Sequence, residues 1–307
     1  MTSSLAAPDL SSGWLPIREV SRLTGVNPVT LRAWERRYGL VVPHRTAKGH
    51  RLFDIGHVAR IQEILTWLNR GVAVSQVKAL LDAPAAEAAV NAGGDWLPLR
   101  QSLILAIGSL AERRLDELFN QAMSLYPPAT LCEQLMLPLL AELDNRWQGQ
   151  FGAQMERVFF LSWLRSKLGA RLYHNNRQQR GKPLLLVNQS DVPMEPMLWM
   201  TAWLASSADC PVEVFDWPLP PGELALAVER LGARAVVLYA GKSLNMAQLP
   251  RLLSKCHCAK LLVGPAVRIH RSEWPAITAR IDDLSLADTP LAAHSRLHFL
   301  GLLQPQP

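Results

Sequence analysis

Two short helical stripes joined by Gly25-Val26-Asn27-Pro28 constrain this chain more than any other feature. Ile17, Val20 and Leu23 recur at helical spacing and give the first stripe one apolar face. Gly25 permits a tight turn with positive φ. Asn27 is a good N-cap and Pro28 suits the first helical position, so a second helix opens there. Leu31, Trp34 and Tyr38 form its apolar stripe, while Arg32 and Arg36, four apart, point together from another face. Gly39 ends it. Val41-Val42-Pro43, the polar loop 44–50 and Arg51-Leu52-Phe53 then read as a β-wing around a basic, glycine-containing loop. Asp54 caps a further helix whose buried face holds Ile55, Val58, Ile61, Ile64, Leu65 and Leu68. Gly71 ends that helix, and Ser75 caps a last short one through Val77, Leu80 and Leu81.

Charge is distributed unevenly along the chain. Residues 1–81 hold 11 Lys/Arg and 5 Asp/Glu, a net of +6, against 21 of each (32 − 11 and 26 − 5) in the rest. All the excess positive charge lies in the first quarter, as phosphate neutralisation by a nucleic-acid-binding module requires. A merely solvated basic face would give the same count. Reading duplex DNA needs more: a helix that enters the major groove, side chains that reach base edges, and donors for phosphates. Val29, Thr30, Arg32, Ala33 and Arg36 are candidates for the exposed face of the second helix, and Arg45, Lys48, His50 and Arg51 are donors on the wing.

The remainder divides at a low-complexity stretch rich in Ala and Gly. The sequence predicts a disordered terminus over 1–13, a DNA-binding domain over 14–81 and a linker over 82–96. A four-helix bundle is expected over 97–180, with helices near 98–107, 111–125, 129–147 and 153–175. Over 181–303, apolar runs at 184–187, 212–215, 235–238 and 261–263 alternate with helical stretches near 195–207, 221–231, 245–256 and 272–280. That alternation argues for a parallel sheet in an open α/β fold, with Leu284-Ser285-Leu286 as an added edge strand. The fold class is therefore multidomain α and α/β: a winged helix-turn-helix, a four-helix bundle and a C-terminal Rossmann-like parallel domain. No apolar run reaches the roughly 18 residues needed to cross a bilayer, and the first ten residues lack a signal-peptide pattern, so the expected location is cytoplasmic. Cys132, Cys210, Cys256 and Cys258 are too scattered for a disulfide framework, and Cys256-His257-Cys258 lacks the second ligand pair that structural zinc requires. No metal is expected.

The run from Ile17 to Leu40, with Thr30-Leu-Arg-Ala-Trp-Glu-Arg-Arg-Tyr-Gly39 at its centre, resembles the MerR family. Pro43-His-Arg45 and Gly49-His-Arg-Leu-Phe53 extend the likeness through the wing. This version of the motif is similar to the branch of light- and cobalamin-responsive regulators and biofilm regulators. The resemblance implies that Thr30, Arg32, Trp34, Arg36, Arg37 and Tyr38 lie on or beside the recognition helix, and Arg45, Lys48, His50, Arg51 and Phe53 on the wing. The family more often has Tyr where Phe53 stands, so a phenol-to-phosphate bond is absent there. Trp34 and Tyr38 also share the Leu31 stripe, and so read equally as core. The expected activity is sequence-specific regulation of transcription at promoters, as activator or repressor. The expected partners are double-stranded promoter DNA, other copies of the chain as a dimer or higher oligomer, and RNA polymerase indirectly.

A helical bundle followed by a parallel α/β domain resembles the cobalamin-binding module of the same branch. That module implies a histidine two residues after an acidic residue in the loop after the first strand, and a glycine three positions later. Here the loop reads Asn188-Gln-Ser-Asp-Val-Pro-Met-Glu-Pro-Met197 and contains no histidine. Trp147 of the bundle is present, but the expected Glu-His pair reads Glu156-Arg157, one residue early. Cobalt calls for imidazole, and Met194 is no evident substitute, so the sequence reading assigns no cofactor. The rim of Asn188, Gln189, Ser190, Asp191, Tyr239, Gly241, Ser243 and Gly264 is the place for another small molecule or a partner protein, because open α/β sheets bind at the carboxyl ends of their strands. The alternatives are a cobalamin-dependent repressor and a corrinoid-carrier subunit. There is no G-x-x-x-x-G-K-[ST] loop, no G-x-S-x-G elbow and no nucleophile–base pattern, so the reading is not of an enzyme.

Overall fold

A computed structural model describes residues 13–82, 96–149, 151–190, 192–220, 222–241 and 244–303. The expected terminus and linker, apart from residues 13, 82 and 96, fall outside them, as do Asp191 and Ser243 of the rim. The chain divides into two compact units, 1–153 and 154–307.

The first unit opens with β1 (Leu15–Pro16), a strand absent from the sequence reading, and α1 (Ile17–Thr24). Gly25 closes α1 at φ 71°, its N–H donating to Ser21 O. Asn27 caps α2 (Pro28–Ala33), its side chain accepting the Thr30 N–H at 2.9 Å. The same rod continues as a π-helical turn over Trp34–Tyr38 and stops at Gly39, φ 60°. β2 (His44–Arg45) and β3 (Arg51–Phe53) form the wing, and β3 lies between β1 and β2 in an antiparallel sheet. β1 pairs through Leu15 opposite Phe53, which closes the wing onto the start of the chain.

Asp54 caps α3 (Ile55–Asn69) as expected, and His57 completes the reciprocal bond from its ring to the Asp54 N–H. With Nδ1 accepting there, the proton sits on Nε2, which reaches Val42 O at 2.9 Å. α4 (Val74–Asp82) follows. Val20, Val26, Leu31, Trp34, Phe53, Ile61, Ile64, Leu68 and Val77 are buried and make the core of this region. Next come α5 (Trp96–Gly108), α6 (Glu112–Leu125), α7 (Pro128–Leu131), a second π-helical turn (Cys132–Met136) and α8 (Leu137–Arg146).

The fourth expected helix, α9 (Ala153–Asn176), belongs to the second unit apart from its first residue. Its residues show why. Arg165 Nε donates to Asp216 Oδ2 at 2.6 Å, Asn176 exchanges two bonds with the Val212 backbone, and Gly169 lies close beside the Trp199 ring. The sheet holds β4 (Leu184–Asn188), β5 (Val212–Phe215), β6 (Ala235–Tyr239), β7 (Ala259–Val263) and β8 (Leu284–Ala287), parallel throughout, in the order β5-β4-β6-β7-β8. β4 and β6 are buried along their whole length, as strands covered on both faces must be. α10 (Pro196–Ser207) is buried from Leu198 to Ser206, so it shows no polar face. α11 (Glu223–Leu231), α12 (Leu249–Leu253) and α14 (Trp274–Thr278) contribute Leu224, Val228, Leu249, Leu252, Leu253 and Trp274 to a core with Leu185, Val236, Leu238 and Leu262. α12 and α14 are shorter than the stretches expected near 245–256 and 272–280, each holding a proline in its first turn, and the short α13 (Ala266–Ile269) was not expected. α15 (Pro290–Phe299), capped by Thr289, was not expected; only Pro290, Ala293 and Leu297 on it are buried, too thin an apolar stripe to declare itself.

Candidate nucleic-acid interface

The Asn27 cap and Pro28 start α2 sharply, and the buried side of the rod is Thr30, Leu31, Ala33 and Trp34. Burying that side leaves Val29, Arg32, Arg36 and Arg37 exposed. Val29 is 60 % exposed, an apolar β-branched side chain on the same face as Arg32, one helical turn earlier. Tyr38 is half-buried at the end of the rod. At the wing, Arg45, Lys48 and His50 are exposed. The wing turn is built by Gly49, φ 80°, whose N–H meets Thr46 O at 2.8 Å, and by Thr46 Oγ1, which accepts the His50 N–H at 3.0 Å.

Four sequence-assigned residues take no place on this surface. Thr30 and Trp34 have no exposed area, Phe53 retains 2 % and Ala33 4 %. A side chain enclosed by its own core cannot reach a base edge or phosphate, so these four are corrected to packing positions. Trp34 is the informative case: its indole N–H donates 2.8 Å to Leu125 O, the last carbonyl of α6.

Glu35 is the residue that sequence reasoning missed. Arg45 Nη2 donates to its Oε1 at 2.6 Å and Arg51 Nε to its Oε2 at 2.5 Å. Burial alone would raise the Glu35 carboxyl, but the bonds and charge of Arg51 and Arg45 more than offset it and hold the pKa below the usual carboxylate range. One carboxylate of the α2 rod thus fixes both strands of the wing in charge-assisted bonds. The signal available in the sequence was an acidic residue alone among Arg32, Arg36 and Arg37; its partners lie 10 and 16 residues away. The surface therefore offers a row of guanidiniums on one helix beside a pre-set basic wing, the arrangement that pins phosphates and reads a major groove.

At the other candidate site the rim turns inward. β4 and β6, the first and third strands in sequence, are neighbours, so the crossover of the chain lies between their carboxyl ends. Asn188 is buried there: its Nδ2 donates to Val192 O at 2.8 Å and Asp216 O at 3.1 Å, and its Oδ1 accepts the Ser190 N–H at 2.9 Å. Ser190 Oγ bonds Val192 O, and Gln189 Nε2 reaches Leu219 O. Tyr239 is buried, and a Cβ on Gly264, φ 122°, would stand 2.5 Å from Ala240 O and 3.2 Å from the Tyr239 ring. A Cβ on Gly241 would stand 3.1 Å from Ser190 Cβ. Met194 is buried at φ 58°, a conformation that costs a non-glycine residue strain. The 188–197 loop carries no imidazole, and the Asn188 amide and the Ser190 hydroxyl are already engaged, by Val192 O and, for Asn188, by Asp216 O beyond the loop. Cys256 and Cys258 precede β7; burial pushes the Cys256 thiol up to about 11, which makes it a poor nucleophile.

Comparison with known proteins agrees with the geometry. Residues 15–84 match the MerR HTH family regulatory protein pattern, and residues 99–172 match the B12 binding domain. The chain is 31 % identical over 238 residues to the HTH-type transcriptional regulator MlrA of Salmonella typhimurium, covering 78 % of this chain and 93 % of that one. It is 32 % identical over the same span to MlrA of Escherichia coli. Over 141 residues it is 29 % identical to the HTH-type transcriptional repressor CarH of Myxococcus xanthus, covering 43 % of this chain and 47 % of that one.

Proposed function

The chain belongs to the MerR family of helix-turn-helix transcriptional regulators, and from that premise we propose that it acts as a dimer or higher oligomer without cobalamin. Two heads related by a two-fold axis meet two half-sites of a pseudo-palindromic promoter site, with spacing set by the assembly. Arg32 and Arg36 address the groove, Arg37, Lys48 and His50 the phosphates, and Glu35 holds the wing at its angle. The observation that carries this reading is the exposed arginine row of α2 beside a wing tied to the same helix by Glu35. Deformation of the promoter would convey the signal to RNA polymerase without direct contact.

The C-terminal unit, in this proposal, takes a partner protein in place of a corrinoid. Support comes from the missing histidine between 188 and 197 and from the inward pairing of Asn188 and Ser190. The protein works in the cytoplasm, where its promoters are, and performs no chemistry of its own.

Genome-wide mapping of binding sites, followed by gel shift on the best site with and without adenosylcobalamin, tests both halves. A discrete palindromic site whose occupancy ignores adenosylcobalamin is expected. Release or tightening by adenosylcobalamin sinks the proposal for the C-terminal unit, and absence of any two-fold site sinks the dimeric one.

A further inference from the structure

The sequence presents the DNA-reading head as a module on a linker, but the first unit ties the middle of the α2 rod, the end of α3 and the start of α4 to one elbow, Leu125–Gln134. Trp34 of the recognition rod donates to Leu125 O, one of the terminal carbonyls that α6 cannot satisfy itself. The next residue, Tyr126, accepts through its hydroxyl the N–H of Val74, the first residue of α4, at 3.3 Å. Its ring lies 4.4 Å from that of Trp96, which begins α5. Thr130 Oγ1 donates to Asn69 Oδ1 and Gln134 Nε2 to Asn69 O, both at 2.9 Å, at the end of α3.

Both sides of this contact are π-helical turns or lead straight into one: Trp34–Tyr38 on the rod and Cys132–Met136 on the elbow. Such turns concentrate at functional sites, and their wider backbone rings can change register within a helix. Arg36 and Arg37 stand on the first of these turns. A rotation of the rod by one residue would carry both guanidiniums around the helix by about 100°.

We propose that the Leu125–Gln134 elbow positions the recognition helix for sequence reading, and that Trp34, Tyr126 and Gln134 are its positioning residues. None of the three lies on the DNA face. The elbow lies inside residues 99–172, the span that matches the B12 binding domain, so a partner acting on those helices reaches DNA reading through it. This rests on the assignment of the α2 face as the DNA reader.

The test uses the full chain carrying Trp34→Phe, Tyr126→Phe or Gln134→Ala, with affinity measured by fluorescence anisotropy on the mapped site and on a scrambled duplex at equal salt. Loss of a buried bond to a helix end predicts about tenfold weaker specific binding for Trp34→Phe and about threefold for the other two. Non-specific affinity and its salt slope stay unchanged, because the exposed cations remain. Hydrogen exchange of the α2 amides rises in step. Wild-type specific affinity in all three overturns the proposal. So does loss of specific and non-specific binding in proportion to a lowered Tm, which is what a purely structural role gives. Gln134→Ala, at a half-buried position, keeps the test open should Trp34→Phe fail to fold. Failure of the wild-type chain to prefer its mapped site would instead overturn the DNA-reading assignment beneath it.

Discussion

The α2 face and the rim of the parallel sheet were both assigned from sequence, and the structure treats them in opposite ways. On the α2 face Arg32, Arg36 and Arg37 are exposed, as are Lys48 and His50 on the adjoining wing, and the carboxylate of Glu35 ties the wing in place. At the rim, Asn188 and Tyr239 at strand ends, and Ser190 and Gly264 in the turns that follow, are all buried. The difference follows from residue type. A guanidinium on a short helix has nowhere to go but water or a phosphate, because burying it unpaired costs far more than exposing it. Small and neutral polar residues have no such constraint, and a loop can close on them.

Four experiments press on that contrast, beginning with the largest effect. Gly264→Ala forces a Cβ to within 2.5 Å of Ala240 O at a φ that disfavours side chains. A loss of about 3 kcal/mol in stability is expected for the second unit, read by denaturant unfolding, with the affinity of the head for DNA unchanged. A stable Gly264→Ala protein would mean that the rim is open after all.

Arg32→Ala removes the cation that the proposed function assigns to base reading and should weaken specific binding by about thirtyfold, corresponding to about 2 kcal/mol, with unchanged circular dichroism. Normal binding by this variant would show that the reading face has been misplaced.

Glu35→Gln comes next, at about 1 kcal/mol, because a neutral amide replaces a charge-assisted acceptor for Arg45 and Arg51. Its pH behaviour has a fixed sign. The folded pKa of Glu35 lies below the unfolded one, so its stabilisation is complete above about 4.3, the unfolded carboxylate value, and fades as pH falls through the folded value. The Gln variant should lack that acid-side loss; a wing whose mobility by NMR is the same in both proteins would remove Glu35 from its role.

The smallest expected effect is none at all. Met194→His supplies an imidazole but leaves Asn188 and Ser190 bound within their loop, so adenosylcobalamin should not bind and the protein should stay colourless. A red protein from this single change would mean that the inward pairing of the rim opens readily, and the contrast between the two sites would shrink to one residue.

Much of this was legible in the chain because it is local. Asn27 caps α2, Asp54 caps α3, and the strands of the sheet lie where apolar runs of three or four residues predicted them. Periodicity and capping depend on neighbours within one or two turns, which a sequence displays directly. β1, α13, α15 and the two π turns escaped: two residues of strand, a single helical turn and a thin apolar stripe carry little periodic signal, and a π turn differs from an α turn only in its bonding register.

The sequence by itself determined the element types, the parallel sheet, and the basic face of the head, since charge and helical spacing are properties of short segments. Only the tertiary structure decided that Thr30, Trp34 and Phe53 face inward, that Glu35 joins helix to wing, and that α9 belongs with the sheet unit. It also decided that the head is gripped by the elbow after α6. The reason is distance along the chain: the carbonyl that receives the Trp34 N–H is 91 residues away. Whether an aromatic side chain meets DNA or its own core depends on which partner arrives first in space, and no local pattern records that.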